Sequence, residues 1–303
     1  MLRLLILKIL IFSFSCAFAQ NSRLNRFLKP SDTLNLKRQQ LVYITQGSVA
    51  AVSLIGLHQL WYKDYDTSSF HTINDTNEWL QMDKFGHAFS IYHLSRIGAE
   101  TMAWSGANQK TQLLYGVGLG FTFLTTVEIF DGFSKEWGFS WSDIGANTLG
   151  TGLYVGQSIL WNEQRITLKY SFHQTKYAEM RPSKLGQNIM EEILKDYNGQ
   201  TYWLSANLNA FINSKNIPKW LNFAFGFGAT GMLTGENELI DGMYLNQNRR
   251  RQYYLSFDID FTKIQTSSHL LKSLFSVINT LKVPAPTLEF NSDGRMKFYG
   301  IFF

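Results

Sequence analysis

Three pairs of polar residues lie in the most apolar third of the chain, and their side chains could exchange protons or hold a cation. The pairs are Asp83 and His87, Glu128 and Asp131, and Asp143 and Asn147. Residues three or four positions apart lie on the same face of a helix. Carboxylates and an imidazole in apolar surroundings are costly unless they satisfy one another or serve a function. The three pairs are therefore the strongest functional lead in the sequence.

An acid–base centre is the first chemistry that these pairs predict. A carboxylate one helical turn from an imidazole, as Asp83 is from His87, can hold one ring nitrogen and leave the other free as a base. Glu128 or Asp131 would then act as the partner of that base in hydrolysis or group transfer. The candidate catalytic residues are therefore His87, Asp83, Glu128 and Asp131.

A divalent cation held by carboxylates, with His87 as a further ligand, is the second possibility. The candidate metal ligands are Glu128, Asp131 and Asp143. An oxygen-rich ligand set suits Mg²⁺, Ca²⁺ or Mn²⁺ better than Zn²⁺. The third interpretation requires no ligand, because the same polar groups could form a hydrogen-bonded network that holds helices in register. That network would comprise Lys84, Ser140, Asp143 and Asn147.

Composition narrows the class of protein. Of the 303 residues, 15% are aromatic and only 17% are charged, which is low for a soluble domain and favours contact with lipid or with a large interface. The net charge of +5 is dispersed apart from the cluster 249–251, so nucleic acid is not an expected partner. The sequence contains no nucleophile elbow, zinc-protease motif, paired cysteines, phosphate-binding loop or dinucleotide fingerprint.

The elements that must position the polar pairs lie in residues 41–161. Apolar runs predict a Gly-rich, hydrophobic four-helix domain with helices over 41–61, 83–104, 111–132 and 142–161. The last helix begins with a capping-box-like segment at 140–143. Glycines four residues apart predict that the two later helices pack closely on a neighbour. These glycines are Gly116, Gly120, Gly152 and Gly156.

Residues 162–303 have a different periodicity, which predicts an antiparallel β-rich region that ends in an aromatic strand. Apolar and polar residues alternate along 166–172, 202–212, 222–230, 253–261 and 297–303. The polar face that carries Asp258 and Asp260 is expected to be exposed. An amphipathic helix is expected over 265–281, and Asp293-Gly294 marks the turn of a final hairpin.

The predicted fold class is therefore α+β, with a four-helix unit followed by an antiparallel sheet or partial barrel. The alternative is an outer-membrane β-barrel in which some Gly-rich segments are strands. Five or six recognisable strands are too few for a closed barrel of this type, which needs about eight or more.

The N-terminus has the pattern of an export signal over residues 1–19. Arg3 and Lys8 precede an apolar run that ends in a small-residue cleavage site at 17–19. An uncleaved anchor helix is the alternative. Cleavage after Ala19 would remove the only cysteine, Cys16, whose neighbours form a poor lipidation context. Residues 20–40 are expected to be a polar, extended lead, and the expected location is the cell envelope, with the outer membrane favoured over the periplasm or inner membrane.

The stretch from about Leu60 to Trp161 resembles the YfiM-like domain of unknown function, which is known from predicted envelope lipoproteins. The matching residues are 79–87, 128–134, 137–140, Asp143 and Asn147. A looser pattern resembles the VanZ-like family of small membrane proteins. It comprises Asp83, Lys84, His87, Glu128, Ser140, Asp143, Asn147 and Gly150. The resemblance implies a compact helical envelope domain without a settled reaction, and the long form with a β half resembles versions found in Bacteroidota.

Three functions remain open from the sequence. The preferred one is a structural or accessory envelope protein that docks on membrane lipid or on an envelope protein complex. The second is a membrane-associated hydrolase or transferase that acts on lipid or cell-wall precursors through the candidate catalytic residues. The third is a binding protein for a divalent cation or an amphiphile. No motif requires enzymatic activity.

Overall fold

The computed structural model describes residues 23–63, 65–236, 239–240, 243–244 and 248–303. The predicted export signal and Cys16 lie outside the described residues. Within these residues the fold is α+β, as predicted, with a helical half followed by an antiparallel sheet. The helices are α1 Arg23–Leu28, α2 Leu36–Leu57, α3 Met82–Trp104, α4 Gln109–Gly132, α5 Trp141–Leu160, α6 Lys176–Met180, α7 Pro182–Leu185, α8 Ile189–Lys195, α9 Leu208–Ile212 and α10 His269–Ile278.

The lead segment 20–40, which was expected to be extended, is partly helical where it is described. It contains α1 and the first turn of α2, and Asn35 caps α2 by accepting a hydrogen bond from the Arg38 backbone N–H. The Arg38 guanidinium lies 4.6 Å from the centre of the Trp104 ring, and the Trp104 indole donates to the Phe27 carbonyl. The segment is therefore ordered by packing on the end of α3, which its polar composition did not reveal.

Helix α3 packs on both α4 and α5 through small residues. A Cβ added to Gly116 of α4 would collide with the Ser95 carbonyl of α3, and one added to Gly150 of α5 would collide with the Ala88 carbonyl. The prediction of close packing is thus correct for α4. It is wrong for Gly152 and Gly156 of α5, which face open space, because Gly150 occupies the contact instead.

The main sheet has six strands, all antiparallel, in the order β10-β9-β8-β5-β4-β3. The strands are β1 Thr72–Ile73, β2 Phe139–Ser140, β3 Ile166–Phe172, β4 Gln200–Asn207, β5 Leu221–Thr230, β6 Leu239–Ile240, β7 Met243–Tyr244, β8 Arg250–Ile259, β9 Ala285–Asn291 and β10 Met296–Phe302. The described strands do not close into a barrel, so the barrel alternative does not hold for them. Strands β1 and β2 form a short parallel pair that joins the loop before α3 to the start of α5.

The polar face of the sheet is buried, which contradicts the expected exposure of Asp258 and Asp260. Both residues are 2% exposed. Phe302 of the last strand covers this face, with its ring 4.7 Å from that of Tyr254, and Lys282 reaches across it to donate to the Phe257 carbonyl. Alternation along a strand shows which residues share a face, but not which face is covered.

Two described helices, α2 and α4, are long and apolar enough to cross a membrane. A core helix of a soluble protein passes the same test of length and composition when it is buried. Here, only 6% of the apolar stretch of α2 and 22% of that of α4 is buried. Both helices therefore leave most of their apolar surface exposed in the described fold.

Candidate functional site

A strained turn precedes α3 and determines where its first residues point. Trp79, Leu80 and Gln81 have positive φ angles of 47°, 52° and 68°. Such a conformation costs roughly 1–3 kcal/mol for each non-glycine residue and persists only when the surroundings hold it. The Trp79 backbone N–H donates to the Gly235 carbonyl, and the Trp79 ring packs 5.3 Å from that of Tyr197. The turn is therefore held from the sheet half of the chain.

Lys84, in the first turn of α3, joins three segments of the chain through its ammonium group. Its Nζ lies 2.6 Å from Asp75 Oδ2, 2.8 Å from Asp143 Oδ1 and 3.0 Å from Asp83 Oδ2. Asp75 belongs to the loop after β1, and Asp143 belongs to the first turn of α5. Burial opposes the charge of Lys84, but Asp83 and Asp143 outweigh this effect and raise its pKa.

Asp75 is a member of the site that the sequence did not predict. The hydroxyls of Ser140 and Ser142 donate to its Oδ1 at 2.6 and 2.7 Å. Burial alone would raise the pKa of Asp75, but the hydrogen bonds from Lys84 and the two serines lower it to about 2. Ser140 Oγ also accepts from the Asp143 backbone N–H and so caps α5, as its sequence position predicted.

His87 faces three carboxylates without bonding directly to any of them. Its Nδ1 lies 3.3 Å from Asn147 Oδ1, and with the amide in this orientation Nδ1 is the donor, because an amide oxygen only accepts. Its Nε2 lies 3.5 Å from Glu128 Oε1 and 3.9 Å from both Asp83 Oδ1 and Asp143 Oδ1. These distances exceed those of direct hydrogen bonds. We call the side chains of Asp83, His87, Glu128 and Asp143 the His87 centre.

The His87 centre contains more carboxylates than basic groups, and this imbalance shifts the pKa values of its members. Burial raises the pKa of Glu128 to about 8, and burial together with the charge of Asp83 raises that of Asp143 to about 7. Burial would lower the pKa of His87, but the three carboxylates outweigh it and raise the pKa. The pKa of Asp83 is lowered, because His87 and Lys84 overcome the effect of burial. The centre therefore retains protons near neutral pH.

Three further contacts, made by Glu128, Asp131 and Tyr197, hold the edges of the centre. Glu128 is 1% exposed, and its Oε2 accepts from the Ser140 backbone N–H at 3.1 Å. Asp131 accepts from the Tyr62 hydroxyl at 2.7 Å, and burial raises its pKa to about 6. The Tyr197 hydroxyl donates to Asp83 Oδ1 at 2.8 Å, which brings a residue of the β half to the site.

A cavity of about 710 Å³ opens above the centre. Its floor carries the polar side chains of Asp75, Asp83, His87 and Asp143. Aromatic side chains line its walls: Trp61, Tyr62, Tyr65, Trp79, Trp137 and Tyr197. Basic side chains lie farther along its lining: Arg181, Lys184 and Lys195. A polar floor beneath aromatic walls suits a ligand that is part polar and part apolar.

Most of the predicted site residues come together in this arrangement. One cluster contains Asp83, Lys84, His87, Glu128, Ser140, Asp143 and Asn147. Asp131 lines the cavity but bonds to Tyr62 instead. Atoms of Asp83, His87 and Asp143 that can bind a metal lie within 4.8 Å of one another, a set that shares only Asp143 with the three predicted metal ligands. Asp75 and Tyr197 were missed because they lie outside the three predicted pairs, and Ser142, although next to Asp143, was interpreted only as part of the capping segment 140–143.

Comparison with protein families gives one match, over residues 71–158, to a family described as predicted periplasmic lipoprotein (DUF2279). The matched span runs from the loop that carries Asp75 to the end of α5 and so includes the whole His87 centre. Comparison with curated proteins and with solved structures finds no match in either set. The helical part of the chain is therefore similar to a family of envelope lipoproteins of unknown function, which supports an exported protein of the cell envelope.

Proposed function

We propose that the protein is an accessory protein of the cell envelope that binds a divalent cation at the His87 centre. The observation that carries this proposal is the spacing of three carboxylate oxygens around His87 Nε2, at 3.5–3.9 Å. Ligand atoms about 2.1 Å from one ion lie roughly 3.0–3.4 Å from each other. Ligand atoms of Asp83, His87 and Asp143 lie within 4.8 Å of one another, so small side-chain rotations would bring these three atoms to one ion, with Glu128 beside them.

The charge distribution supports a cation at this point. Asn147 Oδ1 pairs with Nδ1 of His87, so Nε2 is the ring atom that faces the carboxylate oxygens of Asp83, Glu128 and Asp143. This arrangement is repulsive unless a proton or a metal ion lies between them. Lys84 contacts Oδ2 of Asp83 and leaves Oδ1 directed to the ring, while it shares Asp143 Oδ1 with the ring. One imidazole nitrogen with carboxylate oxygens suits Mn²⁺, since imidazole alone favours Zn²⁺ and oxygen alone favours Mg²⁺ or Ca²⁺.

The proposal includes the outer membrane as the location. The pattern of an export signal and the alternating strands of the C-terminal half support it. It also includes the finer resemblance to YfiM-like and, more distantly, VanZ-like proteins and to long forms from Bacteroidota. Fractionation of inner and outer membranes tests the location, and recovery in the inner membrane would contradict it.

Metal titration of the full chain in non-ionic detergent tests the cation site. We expect Mn²⁺ to bind. Binding is measured by calorimetry and by the loss of the electron paramagnetic resonance signal of free Mn²⁺. Mn²⁺ at one hundred times its Kd should raise the free energy of unfolding by about 2.7 kcal/mol. Asp143→Asn and His87→Gln should each abolish both effects. Glu100→Gln is the control, because Glu100 also lies on α3 but is 49% exposed and outside the centre. Failure of Mn²⁺, Zn²⁺, Mg²⁺ and Ca²⁺ to bind the folded wild type would overturn the proposal.

A further variant separates the two possible ligand sets. Asp131 was predicted as a ligand from sequence, but it bonds to Tyr62 at the cavity wall. If the His87 centre holds the ion, the Asp131→Asn variant should bind Mn²⁺ with an affinity within about threefold of that of the wild type. Loss of binding in Asp131→Asn with retention in His87→Gln would favour the set Glu128, Asp131 and Asp143.

Acid–base catalysis is the second candidate, and one specific observation favours it. Glu128 Oε1 lies 3.5 Å from His87 Nε2, and the pKa of Glu128 is about 8, so this acid is largely protonated at pH 7 and can donate a proton. The substrate class would be lipid or cell-wall precursors with an apolar part against the cavity walls. Incubation of the protein with an envelope lipid extract, followed by mass spectrometry, should show a product that Glu128→Gln does not form. An unchanged extract would exclude this candidate.

A further inference from the structure

One face of the main sheet carries large apolar side chains and is only half covered: α3 packs on Tyr202 and Phe227 at one end, and the other end is exposed. Register aligns Leu204, Phe225, Leu255 and Leu288 across four neighbouring strands. The adjacent row contains Phe223 and Phe257. Of these side chains, Phe225 is 42% and Phe257 is 53% exposed, although a phenylalanine in a sheet of a soluble domain is normally covered.

The opposite face is sealed and mostly polar, with one apolar cluster formed by Trp203, Tyr254 and Phe302. The row that contains Ser205, Ala224, Ser256 and Thr287 is fully buried. An antiparallel sheet of a soluble protein buries its apolar face and exposes its polar one. Strands that lie in a bilayer do the reverse, with apolar side chains towards lipid and polar side chains inside. The polarity of this sheet is therefore that of a membrane strand, even though the described strands do not form a closed barrel.

Charge is almost absent from the apolar face. Among the positions of the six strands that share this face, Arg251 is the one charged residue, and it lies at the end next to α3, where it donates to Gln81. The charged residues Lys169, Asp258 and Glu289 all lie on the sealed face. A protein partner normally meets a surface with polar and charged groups at its rim, and this face offers very few.

The apolar surface continues from the sheet onto the helices. A cleft of about 220 Å³ separates α3 and α5 from β4 and β5, and apolar side chains such as Phe89, Leu153 and Phe225 line it. Leu149 at its edge is 74% exposed. A covering layer must therefore follow a sheet, a cleft and a helix, which is a shape that fluid acyl chains adopt more readily than a rigid protein surface.

We propose that this surface contacts the acyl chains of a lipid bilayer. We call it the apolar belt and define it by Leu149, Leu204, Phe223, Phe225, Phe257 and Phe290. The inverted polarity of the sheet, the lack of charge and the continuity with α5 together favour lipid over protein. The apolar belt shares no residue with the His87 centre, so a test of one proposal does not decide the other.

Flotation with vesicles tests the belt. The full chain is transferred from detergent to vesicles of phosphatidylethanolamine and phosphatidylglycerol, and the floating fraction is measured. The double substitution Phe225→Lys with Phe257→Lys should lower the partition coefficient at least tenfold. Met190→Lys is the matched control, because Met190 is 69% exposed on α8 and is not part of the belt. Circular dichroism in detergent shows whether each variant is folded, and equal flotation of the folded double variant and wild type would overturn the proposal.

A spectroscopic measurement tests the same contact without adding charge. Phe257→Cys and Asn216→Cys are each labelled with an environment-sensitive dye in a Cys16→Ser background. Lipids brominated on their acyl chains should quench the dye at 257 strongly and the dye at 216, in the loop before β5, weakly or not at all. The proposal is wrong if brominated lipids do not quench the dye at 257. If that dye is then shielded from water only in native envelope extracts, a protein covers the belt.

Discussion

Two buried clusters of charge, one in each half of the chain, differ in composition and in surroundings. In the sheet, Asp258 lies 2.8 Å from Lys169 Nζ and 4.0 Å from Lys282 Nζ, and none of the three is more than 2% exposed. Each ammonium also donates to a backbone carbonyl, that of Ile259 for Lys169 and that of Phe257 for Lys282. This cluster has two cations for one anion and is sealed beneath the sheet.

The helical cluster has the opposite balance. Four carboxylates surround one ammonium and one imidazole, and the cluster opens into the large cavity. Asn147 Nδ2 is buried without a hydrogen-bond partner among the described residues, and Asp143 Oδ1 lies 2.8 Å from Lys84 Nζ and 3.9 Å from His87 Nε2. A buried ion pair alone is weak evidence for function, because purely structural ion pairs are also found buried. An excess of carboxylates and an unpaired polar atom beside a cavity are stronger evidence. The helical cluster is therefore the candidate site.

Removal of one acid from each cluster should produce the largest contrast. Asp258→Asn leaves Lys169 and Lys282 buried without a carboxylate, and we expect a loss of about 3–5 kcal/mol in the free energy of unfolding. Asp143→Asn leaves Lys84 with Asp75 and Asp83, and burial together with Asp83 already raises the pKa of Asp143 to about 7, so its loss of stability at pH 7 should be clearly smaller than that of Asp258→Asn. Urea unfolding in non-ionic detergent measures both values. Similar losses for the two variants would contradict the distinction between the clusters.

The sheet cluster should make the free energy of unfolding rise with pH in the alkaline range. Burial lowers the pKa of Lys282 to about 8, Lys169 adds to this effect, and Asp258 only partly opposes it. The folded state therefore binds fewer protons than the unfolded state between pH 8 and 10.5, the ordinary pKa of lysine. Stability should rise with pH across this window by up to about 3 kcal/mol and be lost as pH falls through 8.

Lys282→Met provides the control for this titration. The substitution removes the group that titrates while it keeps an unbranched, apolar side chain of similar length beneath the sheet. The rise in stability between pH 8 and 10.5, measured by urea unfolding at each pH, should shrink in this variant. A rise of unchanged size would show that another group is responsible.

Substitution of Gly150 should disturb the helix packing that supports the helical cluster, and substitution of Gly152 should not. Gly150→Val would collide with the Ala88 carbonyl and Ile91, and we expect a loss of about 1–3 kcal/mol with weaker Mn²⁺ binding, because Asp143 lies on the same helix. Gly152→Ala extends into open space and should gain up to about 1 kcal/mol from helix propensity. Thermal unfolding and calorimetry measure the two effects. A loss of stability in Gly152→Ala would contradict the assigned helix face.

The contrast between these glycines shows what the sequence could and could not predict. Apolar runs and caps identified helices α2 to α5 to within a few residues, except at the start of α2, because those signals are local. The rotation of each helix about its axis depends on its neighbours. The choice between Gly150 and Gly152 as the contact was therefore not available from spacing.

The same limit explains the errors in the β half and at the site. Alternation placed Asp258 correctly on a polar face, but its partners Lys169 and Lys282 lie far away in sequence, so the burial of that face was missed. Asp75 was missed for the same reason, since Lys84 and Ser140 reach it only after the helices pack. Side chains one helical turn apart, such as Asp83 and His87, do lie near each other, but at 3.9 Å they do not form the predicted direct contact, and Asn147 pairs with the ring instead.

The smallest expected change in stability concerns Asn147, which orients the imidazole of the helical cluster and has no counterpart in the sheet cluster. Asn147→Ala removes the acceptor of the His87 Nδ1 proton, and the ring can then place its proton on Nε2, towards the three carboxylates. We expect a stability change below about 1 kcal/mol but a 10- to 100-fold rise in the Kd for Mn²⁺, as for other groups that orient a ligand. Nitrogen NMR shifts of His87 report the tautomer. If the variant keeps both the tautomer and the affinity of the wild type, Asn147 does not orient His87, and the spacing around Nε2 must have another cause.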